Sequence, residues 1–198
     1  MVLLRDDIIR NSATQDCRLT DSEMAVYFSL CALYDHVDKD FFVIDKRSIG
    51  KILFNSTALS SAQRKIISDA LQSLGANNVS CLCKKGEWFT LVNEKDIKKI
   101  LAVKNQRMRF ALLKTYIYIL TSFQNGKDTQ KKIGHMSIEF YADKLDVTPV
   151  TIGKRIKQLK ELGVLCVYNR GHKTNNYYTR PEDAGLFKRV DELFPEVF

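Results

Sequence analysis

The sequence contains few of the residues that make long loops or disordered tails. Only 9 glycines and 3 prolines occur among its 198 residues, which argues against low-complexity linkers. No apolar run approaches the length of a membrane span, and the first residues lack a basic region followed by a long apolar core. We therefore expect a soluble, cytoplasmic protein with no membrane partner, folded as one large or two small domains.

Cysteine and histidine are also sparse. The five cysteines, at positions 17, 31, 81, 83 and 166, form an odd and irregular set. Cys81 and Cys83 would share one face of a strand, but no second pair follows at zinc-site spacing. The three histidines are scattered along the chain. We expect reduced thiols, with Cys31 and Cys166 in the core, and neither a metal site nor a cofactor.

Motifs of known catalytic chemistry are absent as well. The sequence has no glycine-rich phosphate loop and no serine in a nucleophile elbow. Tyr177 and Tyr178 beside Arg180 are compatible with a DNA-nicking tyrosine, but the histidine cluster that would hold its metal is missing. We predict that the protein is not an enzyme and that these tyrosines pack a strand.

The net charge of +8 is concentrated in the middle of the chain. Residues 1–94 contain 11 Lys and Arg against 12 Asp and Glu, and residues 136–198 contain 10 against 9. Residues 95–135 contain 10 against 2. A basic segment suits a polyanion, of which nucleic acid is the commonest. A solvated basic linker is the alternative.

Residues 147–163 have the pattern of the second helix of a helix-turn-helix. Thr148 can cap this helix because its hydroxyl accepts from free backbone N–H groups, and Pro149 suits the first helical position. Gly163 suits a left-handed stop at the other end. Apolar residues recur at i, i+4 and i+7, which predicts one buried stripe. The stripe consists of Ile152, Ile156 and Leu159.

The polar residues of this helix have the chemistry of a groove-reading surface. Their ammonium, guanidinium, amide and hydroxyl groups bind phosphates and base edges. We expect them on the face opposite the apolar stripe; they are Thr151, Lys154, Arg155 and Gln158. The solvated face of an ordinary amphipathic helix is the alternative.

Periodicity, caps and turn residues predict similar elements in the two halves. In the first half these are a helix at 20–36 with a Thr20–Glu23 capping box, a strand at 41–44, helices at 46–54 (capped by Asp45) and 60–75, and a hairpin of strands 79–83 and 88–92. In the second they are a helix at 108–123, a polar loop at 124–134, a helix at 138–145 capped by Ser137, the 147–163 helix, a hairpin of strands 164–168 and 177–180, and a final helix from 181 with Leu186, Val190 and Leu193 inward. Residues 1–18 are a mixed lead-in.

The halves also match in sequence. LQSLG at 71–75 corresponds to LKELG at 159–163, and the Ser-Ile pair at 48–49 corresponds to that at 137–138. The near-constant offset indicates a duplication. We predict an amino-terminal domain at 1–93, a basic helical connector at 94–107, and a carboxy-terminal domain at 108–198.

The segment FYADKLDVTPVTIGKRIKQLKELGVLCV at 140–167 resembles the helix-turn-helix of bacterial plasmid and phage replication initiators and related regulators. As architecture, the chain resembles tandem winged-helix proteins. The resemblance implies a mainly α fold with small β-hairpin wings (α+β) and two winged helix-turn-helix domains in tandem. It also implies sequence-specific binding of double-stranded DNA, for replication initiation or transcriptional regulation of a bacterial mobile element.

Phosphate neutralisation supplies much of the affinity for DNA, so the more basic second half is expected to bind more strongly. A wing arginine, Arg170, would enter a minor groove. The predicted DNA-binding residues of the second half are Thr148, Thr151, Lys154, Arg155, Lys157, Gln158, Arg170 and Lys173. Those of the first half are Arg64, Lys65, Lys84 and Lys85.

A second hypothesis is a protein-interaction or assembly module. Tandem winged helices also serve this role in accessory subunits of bacterial chromosome-condensing complexes, although the charge of +8 counts against it. The nearly neutral first half would then dimerise or hold a protein partner. A hybrid, in which the first half holds a partner while the second reads DNA, is compatible with both patterns.

Overall fold

The computed structural model describes residues 2–5, 8–9, 19–34, 45–76, 89–124, 132–170 and 175–193. These residues are mainly helical with small antiparallel sheets, as the α+β prediction requires. The chain divides into two compact units, Met1–Lys114 and Thr115–Phe198.

The described residues of the first unit form helices and one strand pair. Its elements are β1 (Val2–Arg5), α1 (Asp21–Tyr34), α2 (Lys46–Phe54), α3 (Ser61–Ala76), β2 (Phe89–Val92), α4 (Glu94–Leu101) and the first part of α5 (Gln106–Thr121). Strands β1 and β2 pair antiparallel, with Val2 opposite Val92. Helix α1 packs on α2 and α3, and its residues 24–32 are all buried.

The predicted caps of this unit are confirmed. The Thr20 N–H donates to the Glu23 carboxylate at 2.6 Å, and the Glu23 N–H donates to the Thr20 hydroxyl at 3.2 Å. Asp45 accepts from the Arg47 N–H at 3.0 Å and begins α2. A short polar side chain here satisfies N–H groups that have no partner within the helix.

Other predictions for the first unit differ from the structure or concern residues that the structure does not describe. The strands predicted at 41–44 and 79–83 lie outside the described residues. Part of the lead-in is strand β1, in which Val2 and Leu4 alternate into the core. The predicted connector at 94–107 is not one helix: α4 ends at Leu101, and Asn105 then caps α5 by accepting from the Met108 N–H at 3.0 Å.

The second unit begins within α5, which is buried at every residue from 110 to 121. The elements that follow are a 3₁₀ turn (Ser122–Gln124), β3 (Ile133–Met136), α6 (Ile138–Leu145), α7 (Pro149–Glu161), β4 (Cys166–Asn169), β5 (Asn176–Thr179), a 3₁₀ helix (Pro181–Arg189) and α8 (Val190–Leu193). The three strands form an antiparallel sheet in the order β3-β5-β4.

Strand β3 corrects the predicted polar loop at 124–134, because that loop ends where Ile133 pairs with Thr179. Gly134 in this strand lies against the 3₁₀ turn. A Cβ there would meet the Ser122 hydroxyl and come within 2.7 Å of the Phe123 ring. The absence of a side chain therefore lets the strand approach the end of α5.

The carboxy-terminal segment is also corrected: residues 181–189 form a 3₁₀ helix instead of an α-helix. Phe187 and Leu193 pack on the buried cluster of Ile133, Tyr177 and Val190. Val190 follows Phe187 by three residues, which is one turn of a 3₁₀ helix. The α-helix predicted from the sequence has Leu186 inward in place of Phe187.

Candidate nucleic-acid interface

The start of α7 is built by two local devices. Asp146 adopts a left-handed conformation with φ of 55°, which turns the chain between α6 and α7. The Thr148 hydroxyl then accepts from the Thr151 N–H at 3.2 Å and lies 2.9 Å from the Thr151 hydroxyl. Pro149 occupies the first helical turn. The predicted cap of this helix is confirmed.

The apolar stripe of α7 is confirmed too. Ile152, Ile156 and Leu159 are buried. At the end of the helix, Gly163 has a φ of 63°, and the Val164 N–H donates to the Leu159 carbonyl at 3.2 Å. This closure satisfies a carbonyl that the helix leaves free and fixes the direction in which β4 departs.

Three side chains form what we term the outer stripe of α7: Val150, Lys154 and Lys157. All three are exposed, and Val150 is 67% exposed. Their spacing of four and three residues places them along one line of the helix, opposite the buried stripe. Sequence reasoning missed Val150, although its position one turn before Lys154 was a signal for the outer face.

Arg155 does not lie on that outer face, which corrects the sequence-based assignment. It is half-buried, and its guanidinium donates to the Thr115 hydroxyl of α5 at 3.2 Å. Because successive helical residues are about 100° apart, Arg155 flanks the stripe residue Ile156. The guanidinium therefore helps to hold α7 against α5, and an outside ligand would have to compete with this contact.

The neutral hydrogen-bonding residues of α7 are half-buried as well. Thr151 is held by its contact with Thr148. The Gln158 side-chain oxygen is buried, and no donor in the described part of the chain reaches it. These residues border the outer stripe on one side, so Lys154 and Lys157 are its freely presented cations.

Arg170, at the end of β4, is directed back onto the unit instead of outward. It pairs with Asp191 at 2.5 Å, its guanidinium lies 5.2 Å from the centre of the Tyr177 ring, and its side chain is only 9% exposed. The ion pair and the ring compete with the predicted insertion into a minor groove. Lys173 and His172 lie outside the described residues.

An aromatic cluster that contains a histidine lies where β3 pairs with β5, near the Asn169–Asn176 end of the β4–β5 pair. The His135 ring stacks on Tyr177 at 4.8 Å, and the Asn175 amide lies 3.3 Å from His135 Nε2. Burial, and to a lesser degree the positive charge of Arg170, lowers the pKa of His135. Tyr177 and Tyr178 are buried, as expected for strand-packing residues, and burial raises the pKa of Tyr178 to about 12.

In the first unit, Arg64 and Lys65 are exposed on α3. Lys84 and Lys85 lie outside the described residues. A further group of exposed cations follows β2 along α4, the turn after it and the start of α5. They are Lys95, Lys98, Lys99, Lys104 and Arg107.

Other kinds of site find no support in the described ranges. No three His, Cys, Asp or Glu side chains there come together to hold a metal ion. Cys31 is buried and Cys166 half-buried, while the cysteines at 17, 81 and 83 fall in segments that are not described. No helix among the described residues is both long and apolar enough to cross a bilayer.

No protein-family model, curated protein or solved structure matches this chain.

Proposed function

We propose that the second unit is a winged helix-turn-helix module that binds double-stranded DNA with sequence preference. The order of its elements supports this proposal: α5, β3, α6 and α7 are followed by the β4–β5 hairpin as the wing. In helix-turn-helix proteins the second helix lies in the major groove, and its amino-terminal residues contact base edges. Here α7 takes that position.

The outer stripe of α7 carries the proposal. Lys154 and Lys157 are exposed on a helix with four cations and one acidic residue, Glu161. Lysine ammonium groups at this spacing bind phosphates along the walls of a groove. Val150 stands at the amino-terminal end, where base contacts are made.

We further propose that the first unit is a second winged helix, with α3 as its counterpart of α7 and with Arg64 and Lys65 at the DNA. The exposed cations from Lys95 to Arg107 would add phosphate contacts. Tandem modules of this kind suit a replication initiator or a transcriptional regulator of a bacterial mobile element, acting in the cytoplasm as a monomer or a homodimer.

The experiment starts by selecting duplexes from a random pool with the full chain. Affinity for the selected duplex is then measured across salt concentrations for the wild type and for Lys154→Gln/Lys157→Gln. If each lysine neutralises one phosphate, the slope of log K against log salt falls by roughly 1.8 in the variant. Lys188→Gln/Arg189→Gln is the control, because it removes the same charge from exposed positions of the 3₁₀ helix. Equal loss in both variants, or no preferred duplex, contradicts the proposal.

Exposed apolar residues favour the second candidate, a protein-interaction module. Phe140 is 37%, Val150 67% and Tyr168 40% exposed, and such residues are common at protein interfaces. This candidate predicts no preferred duplex and a strong effect of Val150→Asp on assembly with a partner or a second copy. Light scattering measures the assembly of the wild type and of Val150→Asp. Together with the selection of duplexes, it separates the two candidate functions.

A further inference from the structure

The first unit contains a cavity of about 740 Å³ among α1, α2, α4 and the start of α5. Its size lies within the range of roughly 300–1,000 Å³ that is usual for sites that enclose small molecules. Its walls are largely apolar and include Phe28, Ile52, Leu53, Phe54, Ile97 and Leu101.

The polar groups that line the cavity are mostly positive. Lys51, Lys98 and Arg109 stand against one acidic residue, Glu94. Lys51 and Lys98 belong to the last turns of α2 and α4, where a cation is favourable without any ligand. Arg109 has no such explanation, because it lies near the start of α5, where the helix dipole disfavours a positive charge.

Arg109 is held in place by three contacts. Its guanidinium donates to the Leu101 carbonyl at 3.2 Å and lies 5.3 Å and 5.7 Å from the centres of the Phe54 and Phe110 rings. The pKa of Arg109 is lowered by burial. A partly dehydrated guanidinium held by such contacts is well suited to a carboxylate, since it has less solvent and less side-chain freedom to lose than a fully exposed arginine.

We propose that this cavity binds a small organic carboxylate with an apolar body, of the size of a medium-chain fatty acid. The apolar walls hold the chain, while Arg109 and Lys98 hold the carboxylate. The site belongs to the first unit alone and does not depend on DNA binding by the second.

The test is isothermal titration of the intact protein with decanoate below its micelle concentration. Decanol and decyltrimethylammonium are the matched neutral and cationic probes. We expect saturable binding of one decanoate, at least about tenfold tighter than either probe. Equal affinity for the three ligands would show that Lys98 and Arg109 give no preference for a carboxylate. An absence of saturable decanoate binding up to millimolar concentrations would show that the cavity is not a binding site for this class of ligand.

Variants locate the binding. Lys98→Gln and Arg109→Gln should each weaken decanoate about tenfold and leave decanol unchanged. Lys95→Gln and Arg107→Gln remove neighbouring exposed charges that do not line the cavity, and we expect them to bind like the wild type. Lys98 is exposed, so its variant remains decisive even if Arg109→Gln does not fold. Equal weakening by the control variants would assign the binding to general basic charge and overturn the proposal.

Discussion

The Arg155 guanidinium donates to the hydroxyl of Thr115 at 3.2 Å, so a cation of α7 is joined to the buried face of α5. We predict that Thr115→Val and Arg155→Met each reduce the free energy of unfolding, by about 1–3 kcal/mol, because each removes a charge-assisted hydrogen bond. Urea denaturation of both variants and of the double variant measures the coupling. Fully additive losses would show that the two side chains do not act together.

DNA affinity should separate Arg155 from its neighbour Lys154. Lys154 is exposed, so we expect Lys154→Gln to weaken DNA binding and leave the urea midpoint unchanged. Arg155→Met should lower the urea midpoint, because it removes the hydrogen bond to Thr115. If Arg155→Met instead weakens DNA binding and leaves the urea midpoint unchanged, Arg155 contacts DNA.

Val150 gives a prediction about the bases that α7 reads, and it rests on the proposed function. An exposed valine at the start of a groove helix suits the methyl group of thymine. Replacing the contacted thymine by uracil should weaken binding about fourfold, the effect of one buried methyl group. For Val150→Ser, the thymine and uracil duplexes should bind equally. If uracil has no effect at any position of the selected duplex, Val150 does not read thymine.

The stability of the second unit should depend on His135. Burial, with a smaller contribution from Arg170, lowers the pKa of His135 in the folded state, so protonation favours the unfolded chain. Stability is therefore fully present above the unfolded pKa of about 6.5 and is lost as pH falls through the folded value. Chemical denaturation at pH 7 and pH 5 should show a smaller loss for His135→Gln than for the wild type. Identical losses would remove His135 as the cause.

Two glycines of the second unit should respond oppositely to alanine. At Gly134 a Cβ would meet Ser122 and come within 2.7 Å of Phe123, so we expect a loss of about 1–3 kcal/mol from overpacking. At Gly153, within α7, nothing lies within 4 Å, and alanine should stabilise the helix by about 0.5–1 kcal/mol. Thermal or urea unfolding of both variants tests the pair. A destabilising Gly153→Ala would mean that the outer face of α7 is less open than described.

The features that the sequence predicted well depend on neighbours within a few residues. The Thr20–Glu23 box, the Thr148 cap and the stripe from Ile152 to Leu159 involve side chains at most seven positions apart. Local periodicity and capping chemistry suffice for such features.

Features that depend on distant partners were missed. Strand β3 was hidden in a polar segment because its pairing with β5 joins residues at least 40 positions apart. The sequence predicts Arg170 as a free cation of the wing, whereas the fold brings Asp191 and Tyr177 beside it. Arg155 is a partial exception, because helical geometry alone already places it beside Ile156.

The pairing of β1 with β2 constrains the order in which the chain can fold during synthesis. Val2 pairs with Val92, so the earlier strand leaves the ribosome before its partner exists. At a synthesis rate of roughly 5–20 residues per second, this wait is on the order of 5–20 seconds. Throughout that interval the strand that contains Val2 and Leu4, whose side chains are buried in the folded protein, lacks its pairing partner. A nascent chain stalled before residue 89 would present these side chains as a target for chaperone binding.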